Sequence, residues 1–382
     1  GDFVQVFGEI VKTKTGEISV QVRQIKLLTK SLRPLPEKWV GLKDVETAFR
    51  KRYLDFIVNR DKVERFVRKS KFWEANRKFM KDHGFIEVET PVLETTVGGA
   101  DARPFVTHMN ALDQDFFLRI STELFEKRLL AAGFEKIYTL GPNFRNEGMD
   151  DEHLPEFYQL EWYWAYADYR DGMKFVKEMY RYIAKEVYGR TKFTSRGMTY
   201  DLADEWEEID YAGVIKEKLG IDIFSATDGA MLKVVKAKGL KLAGDINRAR
   251  LIDNLWKLVR KEIAGPAFLI NEPKFMSPLA KSKPENPELT ERFHVIIAGS
   301  ELGNGYSELN NPVDQRERFE AQQKAREEGD EEAQMMDPDF VEMLEYGMPP
   351  TCGWGHSERL FWFLEDVSAR EGTLFPPLRK LV

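Results

Sequence analysis

An arginine-containing segment in the middle of the chain has residue types that bind phosphates and carboxylates. It reads Phe144-Arg145-Asn146-Glu147-Gly148, and an acidic loop separates it from His153-Leu154-Pro155-Glu156-Phe157. A guanidinium group offers a rigid fork of donors, and it can stabilise negative charge that develops at an attacked phosphorus. Taken alone, the segment is explained at least as well by a surface pair of arginine and glutamate.

A second candidate lies near the C-terminus, where glycines precede an apolar run. The segment Gly353-Trp354-Gly355-His356-Ser357-Glu358-Arg359 leads into the residues from Leu360 to Leu364. Glycines let a ligand approach the backbone closely, and an arginine at the start of a helix could hold a polyphosphate. The plainer alternative is a glycine-rich turn with a capping glutamate.

The elements around these segments predict an α+β fold built on an antiparallel sheet. A charged helix with Phe66, Trp73 and Met80 spaced seven apart is predicted to end at His83-Gly84, and a strand from Phe85 to Thr90 follows it. Further strands are predicted at Phe116 to Ile120, Lys136 to Leu140, Tyr158 to Tyr163, Phe293 to Ile297 and Tyr306 to Leu309. The strands lack the regular βαβ alternation of a parallel sheet. Because the sequence has no glycine-rich P-loop or Rossmann loop, side chains must bind any nucleotide.

The chain divides into three predicted parts. At residues 1–30, Ile18, Val20 and Val22 alternate with polar residues after a Thr15-Gly16 turn. This pattern predicts a β-hairpin too small to be stable alone, so we expect further strands before it. Residues 31–60 are predicted to be a linker, because the run from Leu32 to Leu42 contains two prolines and a glycine. Residues 61–382 form the large predicted domain, with a helical, lysine-rich insertion at about 203–265.

Bulk composition excludes several classes of protein. The formal net charge of −7 and the pI near 5.6 are not those of a nonspecific nucleic-acid binder, so any RNA contact must be local. One cysteine, Cys352, and five scattered histidines exclude a disulfide framework and a structural zinc site. No apolar run is long enough to span a membrane, and the first residues lack the charged region followed by an apolar run that is typical of a signal sequence. We therefore expect a cytoplasmic protein.

The two candidate segments, with the helix that ends at Gly84 and the strand that runs to Pro91, resemble the three sequence motifs of class II aminoacyl-tRNA synthetases in their usual order. Within that class the chain is similar to lysyl-tRNA synthetases over nearly its whole length. The matching segments are Thr13-Lys14-Thr15-Gly16-Glu17, LRPLPEKW, Arg52-Tyr53-Leu54-Asp55, Gly98-Gly99-Ala100, Ala102-Arg103-Pro104-Phe105, FRNEG, Ala165-Tyr166-Ala167-Asp168-Tyr169, Asn304-Gly305-Tyr306-Ser307-Glu308-Leu309-Asn310 and LFPPLRK. The resemblance implies an antiparallel sheet flanked by helices, preceded by a partial OB-type anticodon-binding domain that is shortened at its N-terminus.

The resemblance also implies an activity and its site. ATP and lysine would condense to lysyl-adenylate, and lysine would then pass to the 3′-terminal adenosine of tRNA(Lys). Arg145 would bridge the lysine carboxylate and the α-phosphate, Arg359 would hold the γ-phosphate, and Glu301 would hold Mg²⁺. Phe157 would stack on adenine, with Glu147 and His153 lining the ATP site. The class is homodimeric, with the first motif and Pro91 at the interface.

A substrate with two ammonium groups calls for several carboxylates in one pocket, because a buried cation must be paired. The family pattern supplies Gly98, Glu123, Glu161, Tyr163, Asn304, Tyr306 and Glu308. On that precedent Glu308 and Tyr163 bind the side-chain ammonium, while Gly98 and Glu123 lie near the α-amino group. A strand glutamate usually faces solvent, but Glu161 is flanked by Leu160 and Trp162, where solvation is less expected.

Two features depart from the family pattern. Seven residues before Glu301, where the family commonly has a second acidic metal ligand, this chain has His294. A neutral imidazole is a poor ligand for Mg²⁺, which prefers oxygen. The third motif is one residue shorter than its common form and reads Ser-Glu-Arg where lysyl enzymes often read Ile-Asp-Arg. These departures leave the number of metal ligands and the loop geometry open.

Two other functions are compatible with parts of the pattern. A paralogue that transfers lysine from the adenylate to a protein would lack the anticodon-binding domain, and the hairpin at residues 1–30 argues against it. A catalytically silent binding module predicts loss of Arg145, Glu301 or Arg359, and all three are present. An ATP-dependent lysine ligase therefore explains the sequence best.

Overall fold

The computed structural model describes residues 1–35, 42, 44–240, 247–329 and 332–380. It divides into two compact units, one formed by Gly1–Arg65 with Leu374–Val382 and the other by Phe66–Thr373. Much of the proline-containing run predicted as a linker, at residues 36–41 and 43, lies outside the described residues. The predicted site residues all belong to the larger unit.

The smaller unit contains a hairpin and two short helices. Strands β1 (Phe3–Lys12) and β2 (Ile18–Thr29) pair antiparallel, as predicted, across a turn in which Gly16 has a φ of +90°. Helices α1 (Val45–Arg50) and α2 (Arg52–Val58) follow within the segment predicted as a linker. Asp44 caps α1 and accepts a hydrogen bond of 2.7 Å from the Thr47 backbone N–H, a local helix signal that the linker prediction did not include.

The other elements follow in chain order. The strands are β3 (Ile86–Glu87), β4 (Leu93–Glu94), β5 (Val106–Met109), β6 (Gln114–Leu118), β7 (Lys136–Phe144), β8 (Glu156–Ala165), β9 (Lys192–Ser195), β10 (Met198–Asp201), β11 (Glu207–Asp210), β12 (Ala267–Ile270), β13 (Ser282–Lys283), β14 (Asn286–Thr290), β15 (Arg292–Ile297), β16 (Ser300–Ser307) and β17 (Thr351–Ser357). The helices are α3 (Arg60–Asp82), α4 (Glu123–Ala131), α5 (Tyr169–Tyr188), α6 (Tyr211–Leu219), α7 (Asp228–Ala237), α8 (Arg248–Arg260), α9 (Pro312–Glu327), α10 (Pro338–Tyr346) and α11 (Arg359–Leu364).

An eight-stranded sheet forms the centre of the larger unit, in the order β11-β12-β15-β16-β17-β8-β7-β3. Its five inner pairings are antiparallel, as predicted, and only the outermost pairs, β11–β12 and β3–β7, are parallel. The strand predicted from Phe85 to Thr90 is shorter than expected. It pairs only at Ile86 and Glu87 before the chain reaches Pro91, which has no N–H to donate.

The glycine-rich segment before Arg359 is a strand and not a turn. It forms β17, between β16 and β8. A Cβ atom on Gly353 would collide with Glu308 and Tyr163, and one on Gly355 would lie 3.2 Å from the Glu161 side chain. These glycines are therefore required for close side-chain approach within the sheet, and not for a reversal of the chain.

One face of the sheet packs against the main hydrophobic core. Leu160 and Trp162 of β8 are fully buried there, against residues of α5 such as Phe175, Val176 and Met179. The predicted helical insertion at about 203–265 begins with β11 and continues with α6, α7 and α8, which surround Ile215, Val235 and Trp256. Residues 241–246 of this insertion lie outside the described part. None of the helices in the described ranges is both long and apolar enough to cross a membrane.

Candidate active site

Strand alternation along β8 divides its side chains between the core and a cavity. Glu161 and Tyr163 point away from the core and line a cavity of about 600 Å³. Because side chains alternate along a strand, Phe157 and Gln159 lie on the same face, and both also line the cavity. The sheet therefore forms one wall of the candidate site.

Two rows of residues cross β16, β17 and β8 on this wall. The rows are Asn304, Gly355 and Glu161, and next to it Tyr306, Gly353 and Tyr163. The middle position of each row is a glycine, and neighbouring side chains occupy the place of its missing Cβ. These are Glu308 and Tyr163 at Gly353, and Gln159 and Glu161 at Gly355. Carboxylate, phenol and amide groups therefore approach one another closely on this wall of the cavity.

A group of buried acidic residues, which we call the carboxylate cluster, closes this end of the cavity. It consists of Glu123, Glu161 and Glu308, with Lys127, Tyr163 and Tyr306. Glu123 begins α4 and accepts hydrogen bonds of 2.7 Å to each of its oxygens from the Tyr306 hydroxyl. Lys127, one turn later, donates to Glu123 over 2.6 Å and forms a second ion pair with Glu308.

Glu161 is surrounded by hydrogen-bond donors. Gln159 donates to it over 2.9 Å, the Ser121 hydroxyl over 3.1 Å and the Tyr163 hydroxyl over 3.2 Å. Burial, together with the nearby charge of Glu123, nevertheless raises the pKa of Glu161. A bound cation would favour the ionised form of Glu161, because it would offset the loss of solvent and the repulsion from Glu123.

Arg145 and Phe157 form a stacked pair where β7 ends and β8 begins. The guanidinium lies 5.2 Å from the centre of the Phe157 ring, a cation–π geometry. Its Nε and Nη2 are 3.4 Å from the Ile120 carbonyl oxygen, the upper limit for a hydrogen bond. Most of the donor capacity of Arg145 therefore remains available to a ligand. The backbone N–H of Arg145 donates to Pro155 over 2.8 Å and holds the two strand ends together.

Glu301 and Arg359 meet at another part of the cavity. The Arg359 guanidinium donates to the backbone carbonyl of Glu301 over 3.0 Å and to that of Glu152 over 3.2 Å. Burial alone would raise the pKa of Glu301, but His294, Arg260 and a hydrogen bond from Trp256 outweigh it and lower the pKa to about 2. Glu301 is therefore ionised. We call Arg145, Arg260, Arg359 and Glu301 the arginine cluster.

His294 is held between two carboxylates. Its Nε2 lies 2.7 Å from Glu272, and its Nδ1 lies 3.6 Å from Glu301. The pairing of β15 with β16 shifts register between His294 and Ile296, and beyond that shift Glu301 lines the cavity. Irregular pairing of this kind often re-aims a side chain beside a site.

The structure gathers most of the predicted site residues around one cavity. Those that line it are Glu123, Arg145, Glu147, His153, Phe157, Glu161, Tyr163, Glu301, Asn304, Tyr306 and Arg359. Gly98 lines a second cavity of about 310 Å³, with its neighbour Gly99 on the first. Glu308 lies behind Gly353, buried against Lys127.

Several residues at the cavity were not predicted from the sequence. Asp253, Lys257 and Arg260 come from α8 of the helical insertion. No residue of this insertion was predicted to belong to the site. Arg292 donates to the Asn304 side-chain oxygen over 2.8 Å and so orients the amide. The only local signal for Arg292 was that it alternates with His294 across Phe293 on a strand.

Comparison with known proteins agrees with this geometry. Residues 44–379 match the model of a family described as tRNA synthetases class II (D, K and N). The chain is 51% identical over 367 residues to a lysine–tRNA ligase of Thermotoga maritima, an alignment that covers 96% of this chain and 73% of the relative. Lysine–tRNA ligases of Thermosipho melanesiensis and Moorella thermoacetica are each 48% identical, with 99% of this chain and 76% and 78% of those proteins covered. The chain belongs to the class II tRNA synthetases of the D, K and N family.

Proposed function

We propose that this protein activates lysine with ATP to form lysyl-adenylate and then transfers lysine to the 3′ end of tRNA(Lys). The observation that carries the proposal is the carboxylate cluster, whose Glu123, Glu161, Tyr163 and Tyr306 line the same cavity as the arginine cluster. Lysine carries two ammonium groups, and three nearly solvent-free carboxylates suit a dication better than they suit aspartate or asparagine. The lysine–tRNA ligase relatives are similar over nearly the whole chain.

Activation requires positioning and charge stabilisation. A carboxylate oxygen of lysine attacks the α-phosphorus of ATP, the bond from that phosphorus to the bridging oxygen breaks, and pyrophosphate leaves. Arg145 has free donors for the lysine carboxylate and the α-phosphate, and would stabilise the charge that develops between them. Phe157 offers its ring to adenine, Glu147 and His153 line the ATP site, and Arg359 holds the γ-phosphate end. No covalent enzyme intermediate is needed.

Lysine recognition falls to the carboxylate cluster. Glu308 and Tyr163 would bind the side-chain ammonium, since the two side chains meet at Gly353 on the cavity wall. Glu123 and Glu161 would bind the α-amino group, with Asn304 and Tyr306 as neutral partners. The assignment of Gly98 to the α-amino group is the least supported, because Gly98 lines the second cavity.

A divalent metal ion fits at Glu301, and we propose Mg²⁺. Mg²⁺ commonly binds one or two carboxylates, and substrate phosphates and water complete its shell. Glu301 is ionised and lines the cavity. His294 is hydrogen-bonded to Glu272, and its imidazole is a poor ligand for Mg²⁺. Among the described residues no three His, Cys, Asp or Glu side chains form a metal site, which suits an ion held largely by phosphates. When bound, the ion would neutralise charge on the phosphates.

We also propose that the protein works as a cytoplasmic homodimer. The first motif, which comprises α3, β3 and Pro91, is exposed at Ile86, and Val92 and Leu93 directly after Pro91 are exposed as well. Exposed apolar residues on consecutive segments are expected at a two-fold interface. The buried free thiol of Cys352 suits a reducing compartment.

Lysine-dependent exchange of labelled pyrophosphate into ATP tests the proposed function without tRNA. We expect exchange with lysine and none with aspartate or asparagine. Arg145→Ala should abolish it, whereas Arg190→Ala, which removes an arginine stacked 4.9 Å over Phe193 outside the cavity, should not. Charging of tRNA(Lys) is then compared with labelling of added protein, which identifies the acceptor. Exchange with none of the three amino acids contradicts the proposal.

A further inference from the structure

Lys127 is a lysine of the protein itself at the centre of the carboxylate cluster. Its side chain is fully buried, with no exposed surface. The ammonium group lies 2.6 Å from Glu123 and forms the second ion pair with Glu308, both nearly solvent-free. It also lies 5.6 Å from the centre of the Tyr306 ring and 5.8 Å from that of Phe340. Lysine is among the residues most rarely buried without a specific partner, so this position requires an explanation.

The charges of the carboxylate cluster explain why Lys127 is buried. Three carboxylates face the substrate end, and burying them together without a cation would be strongly unfavourable. Lys127 is the one protein cation that forms ion pairs with Glu123 and Glu308 among the described residues. Burial and the charge of Glu123 raise the pKa of Glu308 well above its usual range, whereas the ion pair with Lys127 lowers it, so Lys127 favours the ionised form of Glu308. When Glu123, Glu161, Glu308 and Lys127 are all ionised, the cluster has two net negative charges. The two ammonium groups of a lysine molecule would neutralise these charges, and Arg145 would bind its carboxylate.

Other ionisable groups lie near the cluster. The buried guanidinium of Arg119 donates to the Pro142 carbonyl oxygen over 2.9 Å and adds a positive charge that acts on Glu161. Burial raises the pKa of Glu126 well above its usual range, which favours the neutral form of this fully buried carboxyl, and Glu126 accepts a hydrogen bond from the Thr122 hydroxyl. Burial likewise raises the pKa of Glu94 to about 8. Arg292 is paired with Glu272 over 3.1 Å.

From this geometry we infer that Lys127 is a positioning residue for amino-acid recognition. Its ammonium group is a permanent internal counter-ion that holds Glu123 and Glu308 in place and adjusts the pocket to the charge of a doubly cationic amino acid. The inference rests on the proposed lysine activation and adds to it a residue that does not line the cavity. Lys127 acts through Glu123, Glu308 and Tyr306, which the substrate would contact.

The test uses two variants of the full chain and one matched control. Lys127→Met keeps most of the side-chain volume but removes the charge. Lys127→Ala removes three carbon atoms and the ammonium group, and n-propylammonium supplies the same four atoms from solution. Leu130→Ala removes a fully buried side chain one turn later on the same helix, in the same core, without touching the charges. Circular dichroism and thermal unfolding establish that each variant is folded.

We expect Lys127→Met to raise the KM for lysine at least tenfold in pyrophosphate exchange, with the KM for ATP unchanged within about twofold. Exchange by Lys127→Ala should increase at least fivefold with n-propylammonium and not with 1-propanol. Leu130→Ala should show neither the selective rise in KM nor the rescue. If Lys127→Ala does not fold, the Lys127→Met measurement decides alone.

Three results would overturn the inference. The first is an unchanged KM for lysine in Lys127→Met. The second is equal rescue of Lys127→Ala by n-propylammonium and 1-propanol. The third is a rise in the KM for lysine in Leu130→Ala as large as that in Lys127→Met. Each would mean that Lys127 contributes packing only. Absence of lysine-dependent exchange in the wild-type protein is a different outcome, because it removes the proposed function itself.

Discussion

The carboxylate cluster and the arginine cluster share one cavity but differ in how they hold their charges. In the carboxylate cluster, charged side chains bind one another, and Glu123, Glu161 and Glu308 are at most 4% exposed. In the arginine cluster, guanidinium groups bind backbone carbonyls, and Arg145 and Arg359 are only half-buried. Desolvated groups discriminate strongly between ligands, because a wrong partner leaves a buried charge unpaired. Partly solvated groups bind a flexible polyphosphate without that penalty.

This difference explains why the two clusters are built on different elements. The carboxylate cluster lies on α4 and on the middle strands of the sheet, whose positions are defined by pairing on both sides. The three arginines of the arginine cluster come from the residue just after β7, the start of α11, and α8 of the helical insertion, and only its Glu301 lies on a middle strand, β16. A site that must exclude aspartate and asparagine needs side chains that are held rigidly by a helix and by middle strands of a sheet. A nucleotide site can be formed by side chains from separate segments.

The largest effect should come from breaking the carboxylate cluster at Glu308. We expect Glu308→Gln to raise the KM for lysine at least ~100-fold, because loss of one partner of a buried ion pair costs about 3–5 kcal/mol. The KM for ATP should stay within about twofold of the wild-type value. Steady-state pyrophosphate exchange at varied lysine measures both constants. Glu345→Gln is the control, since Glu345 pairs with Arg316 on the surface, where such a pair contributes little.

The opposite pattern is expected from Arg359→Ala in the arginine cluster. Loss of a charged donor to the γ-phosphate should raise the KM for ATP about 10- to 100-fold, as expected for about 1.5–3 kcal/mol. The KM for lysine should change little. The same exchange assay, at varied ATP, measures the effect. Similar increases in both constants would show that the two clusters do not act separately.

A smaller effect should show whether the helical insertion takes part in nucleotide binding. Arg260 donates to the Gly299 carbonyl oxygen over 2.6 Å and lines the cavity. We expect Arg260→Ala to raise the KM for ATP about five- to tenfold, in line with a loss of about 1 kcal/mol. Lys261→Ala removes the same charge from the exposed neighbouring residue and should have no effect. An unchanged KM for ATP in both variants would exclude Arg260 from the nucleotide site.

The smallest effect concerns an acidic residue near the carboxylate cluster that does not line the main cavity. Burial raises the pKa of Glu94 to about 8 from its usual 4.5, so the folded protein keeps a proton that the unfolded chain loses. The free energy of unfolding should therefore fall as pH rises from about 4.5 to 8. Glu94→Gln cannot titrate, and we expect it to gain about 1–2 kcal/mol over the wild type between pH 5.5 and 6.5. Thermal unfolding of the variant and the wild type at both pH values measures this gain. If the variant differs from the wild type in free energy of unfolding by the same amount at both pH values, the prediction is wrong.

Strand periodicity predicted the central part of this fold well. The antiparallel pairings and the burial of Glu161 between Leu160 and Trp162 follow from local patterns, because alternation alone determines which side chains share a face. Pairing at the edges was less predictable. The short β3 and the parallel edge pairs depend on which segments lie alongside, and no local pattern contains that information.

The residues that the sequence failed to indicate illustrate the same limit. Lys127 follows Glu123 by four residues on a helix, a spacing that is far more common on exposed helical surfaces. Only the packing of α4 against Tyr306 and Phe340 places its ammonium group inside the protein. Arg260 is some forty residues from Glu301 along the chain, and only the folding of the insertion back onto the cavity brings its charge to Glu301.

The sequence by itself determined the chemical character of this protein. The arginines, the acidic residues and the order of the three motifs are local features, and they were sufficient to indicate the family and its substrates. Only the tertiary structure decided which carboxylates face the cavity, which two form ion pairs with Lys127 and which carbonyls orient the arginines. The physical reason is that charge and residue type are properties of single positions, whereas desolvation and ion pairing depend on atoms from segments that are distant in the chain.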